Sequence, residues 1–113
     1  MNLRALGIET SSSRNTGRRV QYFCSLTELQ LRALLPELPI GGEVLVPDLG
    51  ENECYRECRR THDGFEVKRG CHGAHGTWRP ATLQEAEAWL GPGLAVAERT
   101  CRLGYGVTLE LPA

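Results

Sequence analysis

Val20, Tyr22 and Cys24 alternate with polar Gln21, and Phe23 adds β propensity, so residues 20–24 show the period of two that a half-buried strand requires. The period then changes. Ser25 and Glu28 stand in the S-x-x-E relation of a capping box, Leu31, Leu34 and Leu35 follow at helical spacing, and Pro36 and Pro39 close the segment. Residues 43–46 are rich in β formers after Gly41-Gly42 and are halted by Pro47, which predicts a second strand. Asp63-Gly64 is a hairpin signal, with Phe65 and Val67 alternating against Glu66 and Lys68 behind it, so strands are expected on both sides. Thr82 and Glu85 form another capping box, Leu83, Ala86 and Leu90 share one helical face, and Gly91-Pro92 predicts the stop. Residues 94–103 and 107–111 then read as two strands around Gly104-Tyr105-Gly106.

The resulting order, β-α-β-β-β-α-β-β with local hairpins, predicts an α+β fold: a mostly antiparallel sheet with two helices packed on one face. Residues 10–19 are polar, rich in Ser and Arg and without apolar periodicity. They read as an arm, so residues 1–19 form an N-terminal segment and residues 20–113 the single domain. A chain of 113 residues suits one domain with its own core. No apolar run approaches the roughly 18 residues of a membrane helix, and residues 1–8 lack the long apolar stretch and cleavage site of a secretory signal. A cytoplasmic protein without a membrane partner is expected, with its five cysteines mostly reduced.

Net charge is only -1, which points to neither a strongly basic nucleic-acid binder nor an acidic mimic. The charge is distributed in blocks. Arg4, Arg14, Arg18 and Arg19 face only Glu9, whereas Glu28, Glu37, Glu43, Asp48, Glu51 and Glu53 outnumber Arg32 in the next stretch. A second basic group, Arg56, Arg59, Arg60, Lys68 and Arg69, surrounds the hairpin and is interleaved with Glu57, Asp63 and Glu66. With Trp78 and Arg79 it forms the candidate partner-binding surface, and cross-strand ion pairing is the alternative use of the same residues.

Cys54, Cys58, Cys71, His72 and His75 are the one constellation with metal-ligand chemistry, in the spacing C-x3-C-x12-C-H-x2-H. The spacing departs from that of a zinc finger, because both histidines lie in the glycine-rich run 70–76 rather than on a helix. Zinc also makes a geometric demand. On a strand Cys54 and Cys58 stand about 13 Å apart, too far to share one ion, whereas a helix stacks them one turn apart. The hairpin signal favours the strand, and free thiols then follow. Cys24 and Cys101, within apolar patterns, are expected in the core.

Catalytic signatures are lacking: the chain has no phosphate loop, nucleophile elbow or HExxH pair. Adjacent Cys71 and His72 point to opposite faces of an extended chain, a poor nucleophile–base pair. The sequence therefore predicts a small non-enzymatic accessory protein that binds and inhibits or adapts another macromolecule, most simply a protein, as immunity, antitoxin or anti-defence proteins do. The alternative is a zinc-stabilised module binding nucleic acid through Arg14, Arg18, Arg19, Arg59 and Arg60. A cysteine-dependent enzyme ranks third.

Overall fold

The computed structural model describes residues 3–7, 11–15, 18–48, 54–71 and 74–112. In chain order the elements are β1 (Ser11–Asn15), β2 (Arg18–Phe23), α1 (Glu28–Glu37), β3 (Glu43–Pro47), β4 (Cys54–Thr61), β5 (Gly64–Cys71), β6 (Ala74–His75), β7 (Arg79–Ala81), α2 (Leu83–Thr100) and β8 (Val107–Pro112). Short 310 turns cover Arg4–Leu6 and Cys101–Leu103. The strands form one sheet in the order β1-β2-β8-β3-β4-β5-β6, with β7 also pairing β5, and every ladder is antiparallel. β8 thus inserts between β2 and β3. The α+β expectation holds.

Both helices lie on one face because each has one apolar stripe to bury. Leu31, Leu34 and Leu35 of α1 and Ala86, Leu90, Leu94 and Ala97 of α2 share a core with Val44, Val46, Cys58, Val67, Val107 and Leu109 from the sheet. Burying each Leu is worth roughly 1.5–3 kcal/mol. The alternate strand residues face away from the helices.

Several local features differ from the sequence reading. Within residues 10–19, β1 pairs with β2 from Ser11↔Tyr22 to Asn15↔Arg18, so the predicted boundary at residue 19 falls inside β2. Hydrogen bonding to a neighbouring strand overrides the polar composition there. The first capping box uses Thr27 and Gln30 instead of Ser25 and Glu28, with Gln30 N–H donating to Thr27 Oγ1 at 3.0 Å. The second is where it was expected, at Thr82 and Glu85. The tight turn is His62-Asp63, and Gly64 opens β5 opposite Thr61.

The largest correction concerns Gly91-Pro92. Instead of stopping there, α2 runs on to Thr100, so residues 94–100 are helical where a strand was expected. Leu94, Val96 and Ala97 are buried by this extension, and Pro92 sits on the exposed side, as does Ala88, whose carbonyl lacks the proline's N–H as a partner. Gly93 explains the close seat of the helix. A Cβ at this position would lie 2.5 Å from Val46 Cγ2 and 2.7 Å from the Pro47 carbonyl oxygen.

Gly93→Ala should therefore lower stability by about 1–3 kcal/mol through overpacking. Gly91→Ala, whose Cβ would find only Glu28 Oε1 at 4.0 Å, should raise it by about 0.5–1 kcal/mol through helix propensity. Urea unfolding of both variants distinguishes a packing constraint at one glycine from mere tolerance at the other.

Candidate functional site

The β4–β5 register distributes the candidate residues between two faces. Cys54↔Cys71, Arg56↔Arg69, Cys58↔Val67 and Arg60↔Phe65 point toward the helices, whereas Tyr55↔Gly70, Glu57↔Lys68 and Arg59↔Glu66 point away. The basic group is accordingly split rather than gathered into one patch.

On the helix side the organising group is Asp48, buried at the end of β3. Its carboxylate accepts from Arg56 Nε at 3.0 Å and, through the other oxygen, from Arg69 Nε. Arg56 Nη1 also donates to the Trp89 carbonyl of α2 at 3.0 Å, and its guanidinium lies 4.4 Å from the centre of the Trp89 ring. Arg79 stacks on the same ring at 4.8 Å, and Trp89 Nε1 donates to the Lys68 carbonyl at 3.3 Å. Arg60 reaches the Pro36 carbonyl at 3.3 Å and covers Phe65. Arg56, Arg60 and Arg79 thus fasten the sheet to its helices, and Arg69 ties β5 to the end of β3.

The helix-free face is different. One row crosses five strands as Tyr22↔Thr108↔Leu45↔Glu57↔Lys68, and the next runs Val20↔Glu110↔Glu43↔Arg59↔Glu66. All of these residues are half-buried. Trp78 packs at one side of the face with Arg59 and Lys68 at 4.3 and 4.8 Å from its ring, and Tyr55 and Tyr105 form an aromatic pair at 6.5 Å. Gly106 lets the Tyr22 ring lie close, since a Cβ there would meet Tyr22 Cζ at 2.8 Å. Burial raises the Tyr22 phenol above its ordinary value, partly offset by a backbone hydrogen bond at Gly106. Of the predicted partner-binding set, only Arg59, Lys68 and Trp78 occupy this face. Tyr22, Leu45, Tyr55 and Tyr105 were missed, although alternation along the Cys54–Thr61 strand would have separated Tyr55 from its neighbours.

The cysteines do not converge on a zinc ion. β4 is extended through Cys54 and Cys58, which stand about 13 Å apart along it. Cys54 is instead joined to Cys71 in a disulfide, and Cys24 to Cys101 in another, which replaces the core placement expected for the latter two. His72 lies outside the described residues, and only the backbone of His75 is described, as is true of Arg14 and Arg18. Among the described residues no three His, Cys, Asp or Glu side chains are grouped for a metal. Cys58 is a buried free thiol pushed up to about 12, by burial first and by Glu43 second.

A cleft of about 690 Å3 opens beside the hairpin turn, lined by Phe65, Pro80 and Leu83 with the carboxylates Asp63, Glu66 and Glu85. Two of its three acids have structural duties. Glu66 pairs with Arg59 at 2.7 Å, and Glu85 is held below its usual range by the Thr82 backbone N–H and hydroxyl it binds at the start of α2. With Cys71 in a disulfide and Cys58 buried and protonated, neither is an activated nucleophile. Compared with known protein families, with curated proteins and with solved structures, the chain matches none.

Replacing Asp48 by Asn leaves two guanidinium groups facing each other and should lower stability by about 2–3 kcal/mol in urea unfolding. Arg69→Ala should cost under about 1 kcal/mol, because that side chain is 46% exposed. Cys58 supplies a pH test. Since its thiol is raised in the folded state, its contribution is complete below about pH 8.5 and is lost as pH rises toward 12, where the unfolded chain has already released the proton. Stability between pH 8 and 10 should fall more steeply for the wild type than for Cys58→Val.

Proposed function

We propose that this is a non-enzymatic accessory protein that docks another protein on its helix-free sheet face and inhibits or adapts it. The supporting observation is the composition of that face. Leu45, Tyr22, Tyr55, Tyr105 and Trp78 offer half-buried apolar and aromatic area, bordered by Glu43, Glu66, Glu110, Arg59 and Lys68. Aromatic anchors within a charged rim suit a protein interface. The carboxylates among the cations oppose a phosphate backbone and favour a partner carrying Lys or Arg. Among the described residues no helix is long and apolar enough to cross a membrane. Two disulfides suit an oxidising compartment better than the cytoplasm expected from the sequence.

The test is affinity capture from the native extract with three forms of the chain. A partner retained stoichiometrically by the wild type should be lost at least tenfold with Leu45→Arg and with Trp78→Ala. It should be kept by Leu29→Arg, which alters an exposed residue of α1, with all three forms melting cooperatively. Equal retention by all three, or no stoichiometric partner at all, would count against docking on this face.

A further inference from the structure

The two disulfides hold the fold in different ways. Cys24–Cys101 joins the end of β2 to the turn after α2 across a sequence separation of 77 residues, in a region where no ladder brings the two cysteines together. Cys54–Cys71 spans only 17 residues and links two positions already paired by the β4–β5 ladder, which continues unbroken from Tyr55↔Gly70 to Thr61↔Gly64. The unfolded chain finds the longer loop about tenfold harder to close, so Cys24–Cys101 contributes more to the fold, and Cys54–Cys71 adds less to what its ladder already supplies. The strands also hold the Cys54 and Cys71 Cα atoms 4.0 Å apart, nearer than the roughly 4.4 Å at which disulfides ordinarily begin.

We propose that Cys54–Cys71 is a redox-responsive clasp, opened by a dithiol reductant while Cys24–Cys101 and the fold remain intact. Cys71 is half-buried and Cys54 buried, so the reductant's thiolate attacks Cys71 Sγ and expels the Cys54 thiolate, which takes up a proton. The second thiol of the reductant then displaces Cys71. Two electrons and two protons pass to the cysteine pair, and the reductant leaves as its own disulfide. Access alone does not set the order of opening, because Cys24 is exposed. Equilibrium does.

The clasp adjoins the Asp48 cluster. Asp48 N–H donates to the Cys54 carbonyl at 2.9 Å, and the next pair on the same face is Arg56↔Arg69. Opening the bond removes a covalent tie one pair away from the two guanidinium groups that Asp48 holds at the strand ends. The released end therefore reports through the amides of this cluster while the remainder of the hairpin stays protected.

Equilibrating the full chain in graded mixtures of reduced and oxidised dithiothreitol, followed by acid quench, alkylation and peptide mass spectrometry, measures each pair separately. Cys54–Cys71 should open at a ratio at least about tenfold less reducing, about 30 mV in potential, with unchanged circular dichroism. Amide exchange at Asp48, Arg56 and Arg69 should rise while Phe65 and Val67 stay protected. The double variant Cys54→Ser, Cys71→Ser should fold and show the same exchange pattern without reductant. Simultaneous opening of both pairs, earlier opening of Cys24–Cys101, or failure of the double variant to fold would overturn the proposal.

Discussion

Arg56 and Arg69 stand directly opposite one another on the helix-facing side of β4 and β5, and two like charges at such a site need a counter-ion. Asp48 provides it from the end of β3, so a single buried carboxylate joins three adjacent strands. The connection continues into α2, because Arg56 both donates to the Trp89 carbonyl and stacks on the Trp89 ring. Trp89 in turn is flanked by Arg79 and donates to the Lys68 carbonyl. An uncompensated buried charge costs several kcal/mol, far more than any exposed ion pair contributes. Two polar contacts between α2 and this part of the sheet, Arg56 to the Trp89 carbonyl and Trp89 Nε1 to the Lys68 carbonyl, meet at the one residue Trp89.

Packing has to accommodate the same arrangement. The helix can approach Val46 and Pro47 because position 93 lacks a side chain, and it can continue past Pro92 because the lost hydrogen bond lies on its exposed side. Extending α2 through Leu94 and Ala97 buries apolar surface that a stop at Gly91 would leave exposed. Both helices are thereby committed to one face. The other face carries the alternate residues of five strands, and neither helix covers it.

The α+β class, the strand at Val20, the hairpin after Thr61 and the second capping box were legible because each depends on near neighbours in sequence. Three features were not. The strand Ser11–Asn15 forms against β2 in spite of its composition, so no local pattern announces it. The passage of α2 through Gly91-Pro92 is decided by tertiary burial, which overrides the usual stop signal. The disulfides depend on register: a turn at His62-Asp63 sets Cys54 opposite Cys71, whereas a turn one residue later moves that partnership to Gly73. Cys24 and Cys101 are brought together only by the complete fold. The candidate site was legible in part. Arg59, Lys68 and Trp78 belong to the open face, but reading the basic residues as one patch ignored alternation, which places Arg56, Arg60 and Arg69 on the opposite side.

Alternation also gives the charged residues of the two faces different partners. The Lys68–Glu57 and Arg59–Glu66 pairs are cross-strand contacts at half-buried positions, each worth roughly 0.2–1 kcal/mol. Exchanging such a pair for a contact with a partner costs little, and covering Leu45 or an aromatic ring returns more than the exchange removes. The Asp48 cluster has the opposite balance: its groups hold one another too firmly to be released to a ligand without loosening α2. The basic residues Arg56, Arg60 and Arg79 on the helix side are committed to holding the sheet to its helices, whereas Arg59 and Lys68 on the open face are held by weaker cross-strand pairs and by Trp78.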